Sequence, residues 1–201
     1  MIVRFIFVFS IEIRVQLMTH RKRIFAISGS TKSSSSNSSV LEFIAKEHAN
    51  LFDVEIDIGL DKLPHFNPDL DNENVQEEVK VFRNSIEAAD AVIICTPEYV
   101  FSLPGCLKNA IEWTVSTIVF SDKPVAIIVA AASGEKAFES LDLIMNTIEA
   151  KVTEGSKLLL QGVKGKIGKD GEITDQDIMK KIDLLVNSLY DSIEINQIDK
   201  D

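Results

Sequence analysis

Two short segments constrain this chain more than any others. AVIIC at residues 91–95 and VAIIVA at residues 125–130 contain no polar residue at alternate positions. A strand of that kind needs apolar cover on both faces, and in a domain of this size the usual cover is a layer of helices above and below a parallel sheet. The sequence around them supplies such helices. Val75, Val79, Phe82, Ile86 and Ala89 recur at steps of three and four, as do Leu107, Ala110, Ile111 and Val115, and then Phe138, Leu141, Ile144, Met145 and Ile148.

The rhythm extends in both directions. Residues 23–28 form a mostly apolar run ahead of a polar loop, and a helical stripe follows at residues 40–49. Residues 52–58 alternate strictly, with Phe52, Val54, Ile56 and Ile58 opposite three acids, which suits a strand at the sheet margin with one wet face. Residues 60–74 are polar and broken by proline. Pro104 suits the first turn of the helix after the third strand, because its missing N–H costs nothing there. Residues 157–160 offer a fifth, brief strand. After a glycine-spaced segment at 162–171, Thr174 and Asp177 resemble a capping box for a last helix carrying Ile178, Ile182, Leu185 and Leu189. The expected fold class is α/β, a three-layer αβα sandwich on a five-stranded parallel sheet, in one domain at residues 23–201.

Residues 1–22 stand apart. Arg4, Glu12 and Arg14 interrupt their apolar run before it reaches the length of a membrane span, and no small-residue cleavage site follows. They are expected to be an extension of uncertain role, with an added edge strand or an oligomer arm as the alternative. The formal charge of −10 over 201 residues argues against a non-specific grip on nucleic acid or an anionic membrane. Cys95 and Cys106 are too few for a disulfide scaffold and lack metal-ligand spacing, so a cytoplasmic location is expected. Acids crowd residues 47–78, among them Asp53, Glu55, Asp57, Asp61, Asp69, Asp71 and Glu73. Their alternation and irregular spacing indicate a solvated surface, and no metal is assigned.

In open α/β sheets ligands sit beyond the carboxyl ends of the strands. Three loops are placed there: 28–39, 96–104 and 131–136. The first reads GSTKSSSSN at residues 29–37 and leads into a helix. Helix-start amides, hydroxyls such as Ser30, Thr31, Ser33 and Ser35, and the charge of Lys32 would satisfy a phosphate. Neither G-x-G-x-x-G nor G-x-x-x-x-G-K-[ST] is present there, so a terminal monophosphate fits better than a dinucleotide or a triphosphate. The second loop carries Tyr99 and Phe101 between Pro97 and Pro104 and suits a planar heterocycle, with Glu98 a local hydrogen-bonding or surface residue. The third, at residues 132–135, is small enough to let a ring edge approach.

These segments resemble the NAD(P)H-dependent FMN reductase family, a flavodoxin-like group that includes quinone, azo-dye and chromate reductases. The likeness spans about residues 23–190, and its most specific part is TPEYVFSLPGCLKNAIEW at residues 96–113. The resemblance implies strand order 2-1-3-4-5. It implies that Gly29, Ser30, Lys32, Ser35, Ser36 and Asn37 hold the FMN phosphate, with Lys32 where arginine is commoner. Pro97, Glu98, Tyr99 and Val100 would border the ring and ribityl chain, and Ser133 and Gly134 the ring edge. Two departures stand out: Val100 replaces an asparagine, removing an amide side chain, and Glu135 and Lys136 follow where a second glycine is common.

The resemblance also implies hydride transfer from NADPH or NADH to bound FMN, then reduction of a small-molecule acceptor such as a quinone or free flavin. The helix at 104–113 would contribute to a homodimer or homotetramer. No nucleophile or acid/base dyad is required; His48 and His65 are expected to be structural or surface-exposed, and Cys95 part of the core. From the residues alone two alternatives stay open: an FMN electron carrier without nicotinamide turnover, and a non-flavin enzyme acting on a phosphosugar or nucleotide.

Overall fold

The computed structural model describes residues 21–32, 35–57, 59–167 and 171–198. The extension expected at residues 1–22 lies outside them except for Arg21 and Lys22, and Lys22 already opens the first strand. Among the described residues the strands are β1 (Lys22–Ser28), β2 (Phe52–Asp57), β3 (Ala91–Thr96), β4 (Val125–Ala131) and β5 (Lys157–Gln161). The helices are α1 (Ser36–Glu47), α2 (Glu77–Ala88), α3 (Gly105–Glu112), α4 (Glu135–Thr147) and α5 (Gln176–Ile198). The strands pair in parallel in the order β2-β1-β3-β4-β5. This is the flavodoxin-like arrangement, and its strand order reverses between β1 and β3.

The two-residue period of a strand sorts the core. Ile24, Ala26, Ile93, Cys95, Ala126 and Ile128 face α1 and α5, while Phe25, Ile27, Val92, Ile94, Ile127 and Val129 face α2, α3 and α4. All six residues of β3 are buried, as the uniformly apolar run requires. The alternating strand β2 is an edge, with Asp53 and Glu55 exposed.

Helix boundaries depart from the sequence expectation in several places. Helix α1 starts at Ser36 instead of residue 40, because Ser35 accepts the Ser38 amide at 3.0 Å and draws the serine run into the first turn. The last helix is capped by Asp175, whose Oδ1 accepts from the amides of Asp177 and Ile178, and not by Thr174. Helix α3 stops at Glu112 instead of reaching Val115: the Thr114 amide and hydroxyl both donate to the Ile111 carbonyl and tighten the chain into turns, while Trp113 packs in a small cluster with Val75 and Val79.

That cluster fixes the proline-broken segment at residues 60–74. The Pro64 carbonyl accepts from Asn109 Nδ2 at 2.9 Å and from Trp113 Nε1 at 2.8 Å, and the Phe66 amide donates to Asn109 Oδ1 at 2.7 Å. Phe66 meets Trp113 edge to face at 5.1 Å. Arg83 adds a second tie, donating to the Trp113 carbonyl at 2.6 Å and to Asp71 at 2.7 Å. Asp71 therefore departs from the solvated acidic surface expected for this segment. Burial would raise its pKa, but hydrogen bonds to Arg83 and Ser116 and the guanidinium charge outweigh that and hold it below the usual carboxylate value.

Candidate functional site

The carboxyl ends of β1 and β3 bring two of the three loops into contact. The Gly29 amide donates to the Cys95 carbonyl at 2.8 Å. A Cβ at Gly29 would lie 2.2 Å from Thr96 Oγ1 and 2.6 Å from Thr96 Cβ. Only glycine fits, and the loop closes against the end of β3. Below it Cys106 Sγ donates to the Gly29 carbonyl at 3.6 Å. Neither Thr96 nor Cys106 stood out in the sequence, since nothing in a strand-end threonine or a helix-start cysteine indicates which backbone it will meet.

The phosphate-type features converge at the start of α1. Gly29 and Ser30 are buried, and Thr31 and Lys32 are exposed beside them. Ser35 is the N-cap of α1, Ser36 lies in its first turn, and that turn contains no acidic residue. In a chain of net charge −10 this leaves the positive end of the helix dipole available to an anion. Asn37 is more enclosed than a loop ligand would be: it is buried, and its Oδ1 accepts from Cys95 Sγ at 3.3 Å. Burial pushes the Cys95 thiol far above its ordinary value, which keeps it a neutral donor. Ser33 lies outside the described residues.

The second loop makes a two-residue turn. Tyr99 and Ser102 exchange backbone hydrogen bonds at 3.0 Å in both directions. Between them Val100 and Phe101 have φ of 50° and 56°. Both are left-handed, the pattern of a type I′ turn, which favours asparagine and glycine and strains a β-branched residue. The asparagine that the resemblance places at position 100 is thus explained by the backbone. The missing amide bears on the turn's conformation, whatever it would have contacted. Val100 is 96% exposed, and Tyr99 and Phe101 are exposed beside it, while Pro97 is buried and anchors the turn.

The third loop ends at Gly134, which has φ of 91° and would drive a Cβ to within 2.9 Å of Leu159 and Val129. Gly134 is the N-cap of α4 and offers no side chain to it. Glu98 supplies the cap from the second loop: its Oε2 accepts from the Lys136 amide at 2.9 Å and the Ala137 amide at 3.1 Å. Gly29, Ser30, Lys32, Ser35, Ser36, Asn37, Pro97, Glu98, Tyr99, Val100, Ser133 and Gly134 therefore all lie on loops or helix starts at the carboxyl end of the sheet.

A parallel sheet with a glycine-closed, acid-free helix start at its β1–β3 switch point has the form of a nucleotide-type α/β protein. The particular lineage follows from comparison: the NADPH-dependent FMN reductase family model matches residues 22–163, and the chain belongs to that family. Over 184 residues it is 30% identical to an NADH-dependent flavin reductase subunit of Lactobacillus johnsonii, covering 86% of this chain and 97% of that one. It is 28% identical over 145 residues to an NADPH azoreductase of a Bacillus species, covering 69% of this chain and 80% of the relative. Among solved structures it is similar to a flavoenzyme NAD(P)H:(acceptor) oxidoreductase from Paracoccus denitrificans, with 26% identity, a TM-score of 0.71, and coverage of 87% and 98%. The chain is an NAD(P)H-dependent flavin oxidoreductase whose cofactor is FMN, and membership decides for the enzyme over the carrier and phosphosugar alternatives.

Proposed function

We propose that the FMN of this reductase is held at the β1–β3 rim, with its phosphate at the start of α1 and its ring between the Tyr99 turn and the Ser133–Gly134 loop. The observation that carries this reading is the acid-free first turn of α1 beside a loop that only Gly29 can close. Amides near the helix start, the Ser30 and Ser36 hydroxyls and Lys32 form a donor set suited to a dianionic phosphate. Bound there, FMN supplies hydride acceptance from NAD(P)H and delivery of electrons to an acceptor.

The protein's own contribution is placement. Pro97 and the Tyr99–Ser102 turn present backbone groups and an aromatic edge, and the Gly134 turn leaves the opposite side open to a planar molecule. An exposed rim of this kind suits acceptors that exchange with the nicotinamide, such as a quinone or free flavin. The exposed apolar residues Val100 and Phe101 on this rim favour a homodimer or homotetramer that covers part of it. Both cysteines are free thiols, which suits a reducing compartment. No helix among the described residues is long and apolar enough to cross a membrane.

One cuvette tests the reading. Purified chain titrated with FMN should show a perturbed flavin spectrum with saturable binding. Anaerobic NADPH or NADH should then bleach it, and a quinone should restore it. Absence of binding would defeat the proposed site.

A further inference from the structure

We propose that Glu98 is a positioning residue: it fastens the Tyr99 turn to the start of α4, so that the two loops assigned to the flavin ring are held at one separation. The inference rests on the flavin site proposed above. The first amides of a helix need an acceptor, normally the N-cap side chain. Helix α4 cannot provide one, because its N-cap must be glycine: the backbone there is left-handed and a Cβ would strike Leu159 and Val129. The amides of Lys136 and Ala137 are instead met by one carboxylate oxygen that arrives from 38 and 39 residues away in sequence. The contact is charge-assisted and lies at the positive end of the helix dipole.

Two consequences follow. First, the residue that precedes the Tyr99–Ser102 turn is anchored at a helix rather than left in solvent, so the height of the turn above Ser133 and Gly134 depends on this carboxylate. Second, this helix start is already matched by an internal anion, and Glu135 lies in the same turn. An incoming phosphate is therefore directed to α1.

The test compares Glu98→Asp, Glu98→Gln and Glu98→Ala with the wild-type chain. Asp keeps the charge but withdraws it by one methylene, whereas Gln keeps the length and loses the charge. Two readouts are taken: amide hydrogen exchange of residues 135–137 without flavin, and equilibrium FMN binding by fluorescence quenching. Exchange is expected to rise about tenfold in Ala, and FMN affinity to fall about tenfold in Ala and Asp and less in Gln. The KM for the acceptor should rise with kcat little changed, a split that general destabilisation would not produce. Wild-type exchange in the Ala variant overturns the clamp. Faster exchange with unaltered FMN affinity and KM overturns the positioning role and leaves the flavin site standing. If wild-type chain binds no FMN, the flavin site itself falls and the positioning role falls with it.

Discussion

Helices α1 and α4 both begin on the carboxyl rim of the sheet, yet their first turns are built in opposite ways. The start of α1 is rich in hydroxyls, is capped by its own Ser35 and has no acid; that of α4 has glycine as N-cap, Glu135 within its first turn and Glu98 bonded to its amides from another loop. The electrostatics of a helix N-terminus are the same in both. What differs is whether the protein satisfies them internally. A helix start left short of negative charge in an acidic protein is available to a ligand, and one already supplied is part of the scaffold.

The largest blow to this contrast would come from closing the approach to α1. Gly29→Ala forces a Cβ into Thr96, a β-branched residue at the buried end of β3 that cannot swing aside. FMN affinity is expected to fall by about a hundredfold or more and stability by about 1–3 kcal/mol. Flavin titration and thermal denaturation read the two effects separately.

A sharper experiment makes α1 resemble α4. Ser38 stands three residues after the Ser35 cap, so Ser38→Glu completes a capping box. The flavin-free protein should gain about 0.5–1 kcal/mol in thermal or denaturant unfolding. FMN affinity should drop about tenfold, because the new carboxylate faces the phosphate. Opposite signs in the two assays are the signature; affinity that rises with stability would refute the assignment of α1 as the anion site.

Lys32→Ala asks how much of the anion site is charge and how much is backbone. Lys32 is exposed, so its loss is expected to weaken FMN binding only about three- to tenfold. The residual binding should depend less on salt, which titrations at low and high ionic strength would reveal.

The smallest effect concerns the loop that Glu98 anchors. Val100→Asn relieves a β-branched residue at φ 50° without adding a buried group, since position 100 is almost fully exposed. A gain of about 1 kcal/mol in unfolding free energy is expected, with little change in FMN affinity. Unchanged stability would mean the turn tolerates valine without strain.

Most of the architecture is legible in the sequence, because its signals are local and repeated. The uninterrupted runs at 91–95 and 125–130 required burial on both faces, and the alternation at 52–58 required an edge. The three candidate loops follow from the strand ends. Helix starts were harder: serine at residues 35 and 36 reads equally as loop or as cap, and only the captured Ser38 amide decides. Nothing local separates Asp71 from its acidic neighbours, because its partner Arg83 lies on α2, twelve residues away, and is itself tied to the Trp113 carbonyl.

The sequence by itself determined the layers of the fold and the family resemblance, since hydrophobic period and motif spacing are properties of contiguous residues. Tertiary structure alone decided what the individual site residues are for. Gly29 is required because Thr96 lies against it, Gly134 because Leu159 and Val129 do, and Glu98 serves a helix start that begins 37 residues later in the chain. Each of these depends on a distance between segments that are remote in sequence, and such distances exist only once the sheet has brought its strand ends together.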